Sequence, residues 1–207
     1  MNKNRFCVLL DNGHGMPPSG GGKCSPDGLY QEAEFARDVV RRTAERLRAC
    51  GFNVYIVTPE TQDISLNERV RRINRICTQY GAGNCVMVSV HSNASGNGQW
   101  MKARGWAVYT TKGQNRSDIL ATYIWNRAQW YWDNTPARIL RADRSDGDPD
   151  YEANFQIIKG ADCPCCLTEN FFHDNRDDLV FLMSDDGRDE IAEVHARGII
   201  DYFKSLK

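Results

Sequence analysis

The sequence has no apolar run approaching the ~18 residues that span a bilayer, so no membrane-inserted segment is expected. Neither sign of charge is in excess. The 26 basic and 27 acidic residues leave a formal net charge of −1, which speaks against nucleic acid or an anionic membrane as partner. Internal repeats and low-complexity segments are missing, so nothing points to a repeat array. The opening MNKNRFCVLLDNGHG starts basic, but its apolar run is too short for a secretory signal. The chain is therefore expected to be made without a signal or to have lost one. Histidine is scarce, at four residues.

Cysteine is plentiful, at eight residues. Secreted disulfide frameworks are usually shorter and denser. The cluster CPCC at 163–166 lacks the paired C-x₂-C of a structural zinc site. Most of the cysteines lie in apolar runs, so buried free thiols are expected ahead of disulfides or metal.

A length of 207 residues favours one domain, 1–207, with a sizeable core. Strands are expected at 5–11, 52–58, 85–91, 105–111, 155–159 and 165–172. Helices are expected at 31–50, 65–80, 115–132 and 186–204. A Gly/Pro/Ser-rich loop covers 15–28, and a polar loop covers 141–150. In the second helix, Leu66, Val70, Ile73, Cys77 and Tyr80 share one face. Alternating strands and helices imply an α/β layered fold, with a mostly parallel twisted sheet flanked by helices. The segments at 105–111 and 155–159 are expected to add antiparallel strands.

The apolar run VLL ends in Asp11-Asn12-Gly13-His14-Gly15, and the run CVMVSV ends in His91. Open α/β sheets build sites at the carboxyl ends of strands, so two strand-end histidines can meet in space. A turn residue, a buried hydrogen-bonding group and a metal ligand all suit such a histidine. Catalytic zinc commonly takes two histidines and a carboxylate. Along the first helix, at about 100° per residue, Glu32 shares the buried face with Phe35, Val39, Thr43 and Leu47. Glu34 points nearly opposite, toward solvent. Glu32 at the helix N-terminus is thus the candidate third ligand. Glu169, in the apolar CCLTENFF, reads equally as a carboxylate paired with arginine or as a general base.

Together, DNGHG, the Gly-rich loop, a glutamate opening a helix, VSVHSNAS and TENFFHDN resemble the zinc-dependent N-acetylmuramoyl-L-alanine amidases of the Amidase_3 type. The similarity runs over nearly the whole chain. Ala36 stands where the family has Asn, and Met16 where it often has a second Gly. The resemblance implies a single-domain, phosphorylase/hydrolase-like α/β fold. It implies that His14, Glu32 and His91 hold Zn²⁺ and that Glu169 is catalytic. The implied substrate is peptidoglycan, cut between N-acetylmuramic acid and L-alanine. A related zinc peptidase and a non-catalytic wall-binding module are the alternatives. A monomer is expected. A signal-less chain with a substrate outside the cytoplasm fits phage-type release as well as a trimmed chain. Gly13 and Gly15 are expected to let the backbone bend at the metal edge and to keep bulk away from it.

Among the other residues, Trp100 is expected to line the cleft. Trp125 and one neighbouring tryptophan are expected to pack against the core. His173 is expected to be a local hydrogen-bonding group and His195 to be structural or exposed. Asn12 and Asn93 flank the candidate ligands and are candidates to orient them.

Overall fold

The computed structural model describes residues 3–17 and 23–206. The middle of the expected 15–28 loop, residues 18–22, lies outside the described residues. In chain order the elements are β1 (Cys7–Asn12), α1 (Glu32–Ala49), β2 (Asn53–Ile56), α2 (Leu66–Tyr80), β3 (Cys85–Asn93), β4 (Ala107–Thr110), α3 (Arg116–Trp132), β5 (Tyr151–Glu152), α4 (Gln156–Lys159), β6 (Cys165–Phe172), α5 (Arg176–Met183) and α6 (Asp185–Ser205). They form one six-stranded sheet in the order β2-β1-β3-β6-β4-β5. The four strands β2, β1, β3 and β6 run parallel, while β4 is antiparallel to β6.

Helices cover both faces of the sheet, which is why β1 and β3 read as continuous apolar runs. On one face Val8, Leu10, Val86 and Val88 pack beneath α1, α3 and α6. On the other, Cys7, Leu9, Cys85 and Met87 meet Ile73 and Cys77 of α2 and Ile157 and Ile158 of α4. The expected α1 face is the buried one: Phe35, Val39, Thr43 and Leu47 are enclosed and Glu34 is exposed. Fully burying each of the three apolar side chains there contributes roughly 1.5–3 kcal/mol. All eight cysteines are free thiols, and Trp125 and Trp132 are buried. No helix of the described residues is long and apolar enough to cross a membrane.

Four expectations need correction. Residues 155–159 are not a strand; Phe155 caps the short helix α4, which ends at Gly160. A strand would send Ile157 and Ile158 to opposite faces, whereas one helical turn against α2 buries both. Helix α5 was not anticipated, although Asn175 accepts hydrogen bonds from the backbone N–H groups of Asp177 and Asp178, a side-chain cap at its start. The two-residue β5 is also additional, paired parallel to β4. On α2, Leu66 is 44% exposed, while Arg69 is buried.

His195 is structural. Its imidazole is enclosed, with Nδ1 2.7 Å from the Ile191 carbonyl and Nε2 2.8 Å from Thr168 Oγ1. A neutral ring satisfies both: Nδ1–H donates to Ile191 and Thr168 donates to Nε2. Burial pushes its pKa from 6.5 down to about 4. The unfolded chain therefore binds more protons between those two values, and stability falls as pH drops through that window. At about 1.4 kcal/mol per unit, this group withdraws up to about 3 kcal/mol. Urea denaturation from pH 7 to pH 4 is expected to show a steeper loss for wild type than for His195→Gln. Parallel curves would remove His195 from the pH dependence.

Candidate metal centre

Three parallel strands deliver the site. In register, Asn12 of β1 lies beside Val90 of β3, and His91 of β3 lies beside Glu169 of β6. His14 follows two residues beyond β1. Glu32 opens α1; its backbone N–H donates to the Lys23 carbonyl at 2.9 Å, and Gln31 bridges to Cys24. The loop return after β1 thus fixes where α1 begins.

His14, Glu32 and His91 converge, each offering a ligand atom within 4.8 Å of the others'. Glu32 Oε1 lies 3.4 Å from His14 Nε2 and 3.0 Å from His91 Nδ1, and it accepts from Ser92 N–H at 3.2 Å. The two imidazoles stand perpendicular, 5.0 Å apart. Glu32 is only 3% exposed. Burial opposes its ionisation, but the contacts with His14 and His91 outweigh that and hold its carboxyl well below the usual carboxylate range.

The glycine expectation is half right. The left-handed residue is His14 itself, with φ 60°, a conformation uncommon for a residue with a side chain. Arg37 donates to the His14 carbonyl at 3.1 Å and to the Glu60 carbonyl at 2.8 Å, clamping that turn. The two glycines serve close approach instead. A Cβ on Gly13 would fall 2.2 Å from His91 Cε1, and one on Gly15 would fall 2.3 Å from the Asp63 backbone nitrogen.

Behind His91 runs a chain of groups the sequence reading did not single out. Arg69 donates to Asp11 Oδ1 at 2.8 Å, and Ser89 Oγ donates to Asp11 Oδ2 at 2.7 Å. Having given its proton to Asp11, Ser89 Oγ accepts from His91 Nε2–H at 3.1 Å. That tautomer leaves the Nδ1 lone pair facing Glu32 and His14, as a metal ligand requires. The available signal was a polar residue interrupting each buried strand, Asp11 in VLLDN and Ser89 in MVSVH. On the other side, Asn170 Nδ2 donates to the His91 carbonyl at 2.8 Å and is itself held by Trp106 Nε1.

Among the described residues, Glu169 has no arginine partner. Its Oε2 is closed off from solvent and has no hydrogen-bond partner among the described residues. Burial first, and the charge of Glu32 second, raise its pKa well above the carboxylate norm. His173 is the expected local hydrogen-bonding group: its Nδ1 lies 3.0 Å from Ser92 Oγ, which accepts from Tyr30. Trp100 packs partly against the core beneath the Arg176 guanidinium, 4.1 Å from its ring centre. Asn12 is buried, and its Nδ2 lacks a partner among the described residues.

A parallel α/β sheet with a two-histidine, one-carboxylate cluster at its carboxyl edge has the architecture of a metallohydrolase. The chain belongs to the N-acetylmuramoyl-L-alanine amidase family, Amidase_3, whose sequence profile matches residues 8–201. It is 26% identical over 205 residues to the endolysin of Bacillus phage SPP1, covering 97% of this chain and 67% of the endolysin. It is 28% identical over 237 residues to the N-acetylmuramoyl-L-alanine amidase AmiC of Neisseria meningitidis serogroup B, covering 99% of this chain and 54% of AmiC. The chain thus spans about half the length of that relative. The crystal structure of N-acetylmuramoyl-L-alanine amidase from Clostridium difficile 630 has the same fold, with a TM-score of 0.80 at 23% identity, covering 99% of this chain and all of that one.

Proposed function

We propose that this chain is a single catalytic domain, 1–207, that acts as a zinc-dependent amidase. It would hydrolyse the amide joining the lactyl group of N-acetylmuramic acid to L-alanine in peptidoglycan. The observation that carries the reading is the convergence of His14, Glu32 and His91 beside Glu169, whose Oε2 has no hydrogen-bond partner among the described residues, in a chain of this family. The donor set fits Zn²⁺: two imidazole nitrogens and one carboxylate oxygen, with room kept by Gly13. Zinc held there supplies Lewis acidity toward a carbonyl and acidifies water. The Asp11–Ser89 pair holds His91 in the ligating tautomer. Glu169 takes a proton from water and returns it to the departing amine of L-alanine. We further propose a monomer.

This chemistry leaves glycosidic bonds alone, because their cleavage generally needs a carboxyl pair flanking the acetal. Digestion of purified peptidoglycan is expected to release new N-terminal L-alanine and no new reducing ends, read by mass spectrometry. Cuts within the stem peptide, with the lactyl–alanine amide intact, would make the chain a peptidase. New reducing ends would overturn the metal mechanism.

A further inference from the structure

A second carboxylate cluster lies at the other end of the sheet. Strand β4 runs antiparallel to β6, with Ala107 beside Glu169 and Tyr109 beside Leu167, so it carries Thr110 away from the histidines. There Asp118 of α3 meets Asp148 and Asp150 of the loop RADRSDGDPD. Each of the three carboxylates offers an oxygen within 4.8 Å of the others'. Asp118 and Asp150 are buried, and Asp148 is half-buried.

Their donors are neutral and too few. The single Thr110 hydroxyl stands between Asp118 Oδ1 and Asp150 Oδ2, yet its one proton can serve only one of them. Gln114 Nε2 donates to Asp148 Oδ2 at 2.8 Å, and Asn115 N–H donates to Asp118 Oδ2. Among the described residues, no Lys, Arg or His forms an ion pair with any of the three. Asp150 is 3% exposed, and its Oδ1 is buried with no hydrogen-bond partner. A buried carboxylate oxygen without a partner costs several kcal/mol unless a proton or a cation meets it.

We propose that Asp118, Asp148 and Asp150 form a structural calcium site that ties the 141–150 loop to the end of β4 and the start of α3. The donors are all oxygen, the set preferred by Ca²⁺ and not by Zn²⁺. Each of the three carboxylates supplies at least one oxygen, and water completes the six to eight that Ca²⁺ takes. The cation takes the place of the missing donor at Asp150 Oδ1. Without it, burial first and Asp148 second push the Asp150 pKa up to about 8. The site faces away from the histidine centre, so it bears on the stability of the β4–β5 edge.

Calorimetric titration of CaCl₂ and MgCl₂ into the protein as purified tests this. One Ca²⁺ per chain is expected, with Mg²⁺ weaker and with a rise in Tm on adding Ca²⁺. Asp148→Asn and Asp150→Asn are each expected to weaken Ca²⁺ binding by at least roughly 10–100-fold and to abolish the Tm rise. The zinc content of both variants should stay unchanged. The half-buried Asp148 keeps the test valid should Asp150→Asn misfold. No binding up to about 10 mM, beyond the ~10⁻³ M of the weakest calcium modules, would overturn the proposal. So would Ca²⁺ binding that a folded Asp148→Asn protein retains, or Mg²⁺ binding as tightly as Ca²⁺.

Discussion

Glu169→Gln is expected to slow amide hydrolysis by ~10²–10⁴-fold while zinc content stays at the wild-type level. The carboxyl is the cross-strand neighbour of His91 but is not part of the converging ligand group. Its Oε2 is buried with no hydrogen-bond partner among the described residues, so no protein donor there competes for a proton or holds the carboxylate ionised. Burial and the nearby Glu32 raise its proton affinity, and a stronger base suits proton transfer near neutral pH. Glutamine keeps the shape and loses the basicity. Steady-state rates on a muropeptide, paired with metal analysis of the same preparation, read the two effects separately. Zinc and activity lost together would make Glu169 a ligand. A rate within a few-fold of wild type would assign the proton transfer to another group.

Glu32→Gln is expected to weaken zinc binding by at least roughly 10–100-fold, the loss that even outer-shell changes cause at metal sites. Activity at limiting zinc should fall with it. Glu32 is the only carboxylate of the cluster, and its Oε1 is the atom both imidazoles face. Two residues on, Glu34 is exposed on the opposite side of α1, and Glu34→Gln should alter neither property. Competition with a chromophoric chelator measures the affinity of all three proteins. Zinc lost from Glu34→Gln and retained by Glu32→Gln would reverse the assignment. Wild-type affinity in both would remove α1 from the centre.

Much of this was readable in one dimension because the physics is local. The burial of Glu32 and exposure of Glu34 follow from 3.6 residues per turn and the Phe35–Val39–Leu47 stripe. Strand-end histidines follow from apolar runs that stop at DNGHG and at VHSN. Other features depended on neighbours distant in sequence. Arg69 reads as a surface residue of an arginine-rich helix until Asp11 and the Asn12 carbonyl, 57–58 positions away, receive its guanidinium. Residues 155–159 carry strand-like side chains, but docking on α2 favours one helical turn. Position 13 reads as a turn glycine until the His91 ring is seen where its Cβ would be.

The sequence by itself determined the layered α/β class and the buried face of α1, and it singled out His14, Glu32 and His91 as candidate ligands, while Glu169 entered as catalytic only through the family resemblance. The fold class, the α1 face and the three candidate ligands rest on periodicity or on a short motif whose meaning does not depend on what lies across the sheet. Tertiary structure alone decided the left-handed His14, the Asp11–Ser89–His91 relay that sets the tautomer, and the meeting of Asp118 with Asp148 and Asp150. These arise from strand register and loop return, which bring together groups far apart in the chain. Burial then removes the water that would otherwise satisfy them, so their partners become energetically decisive.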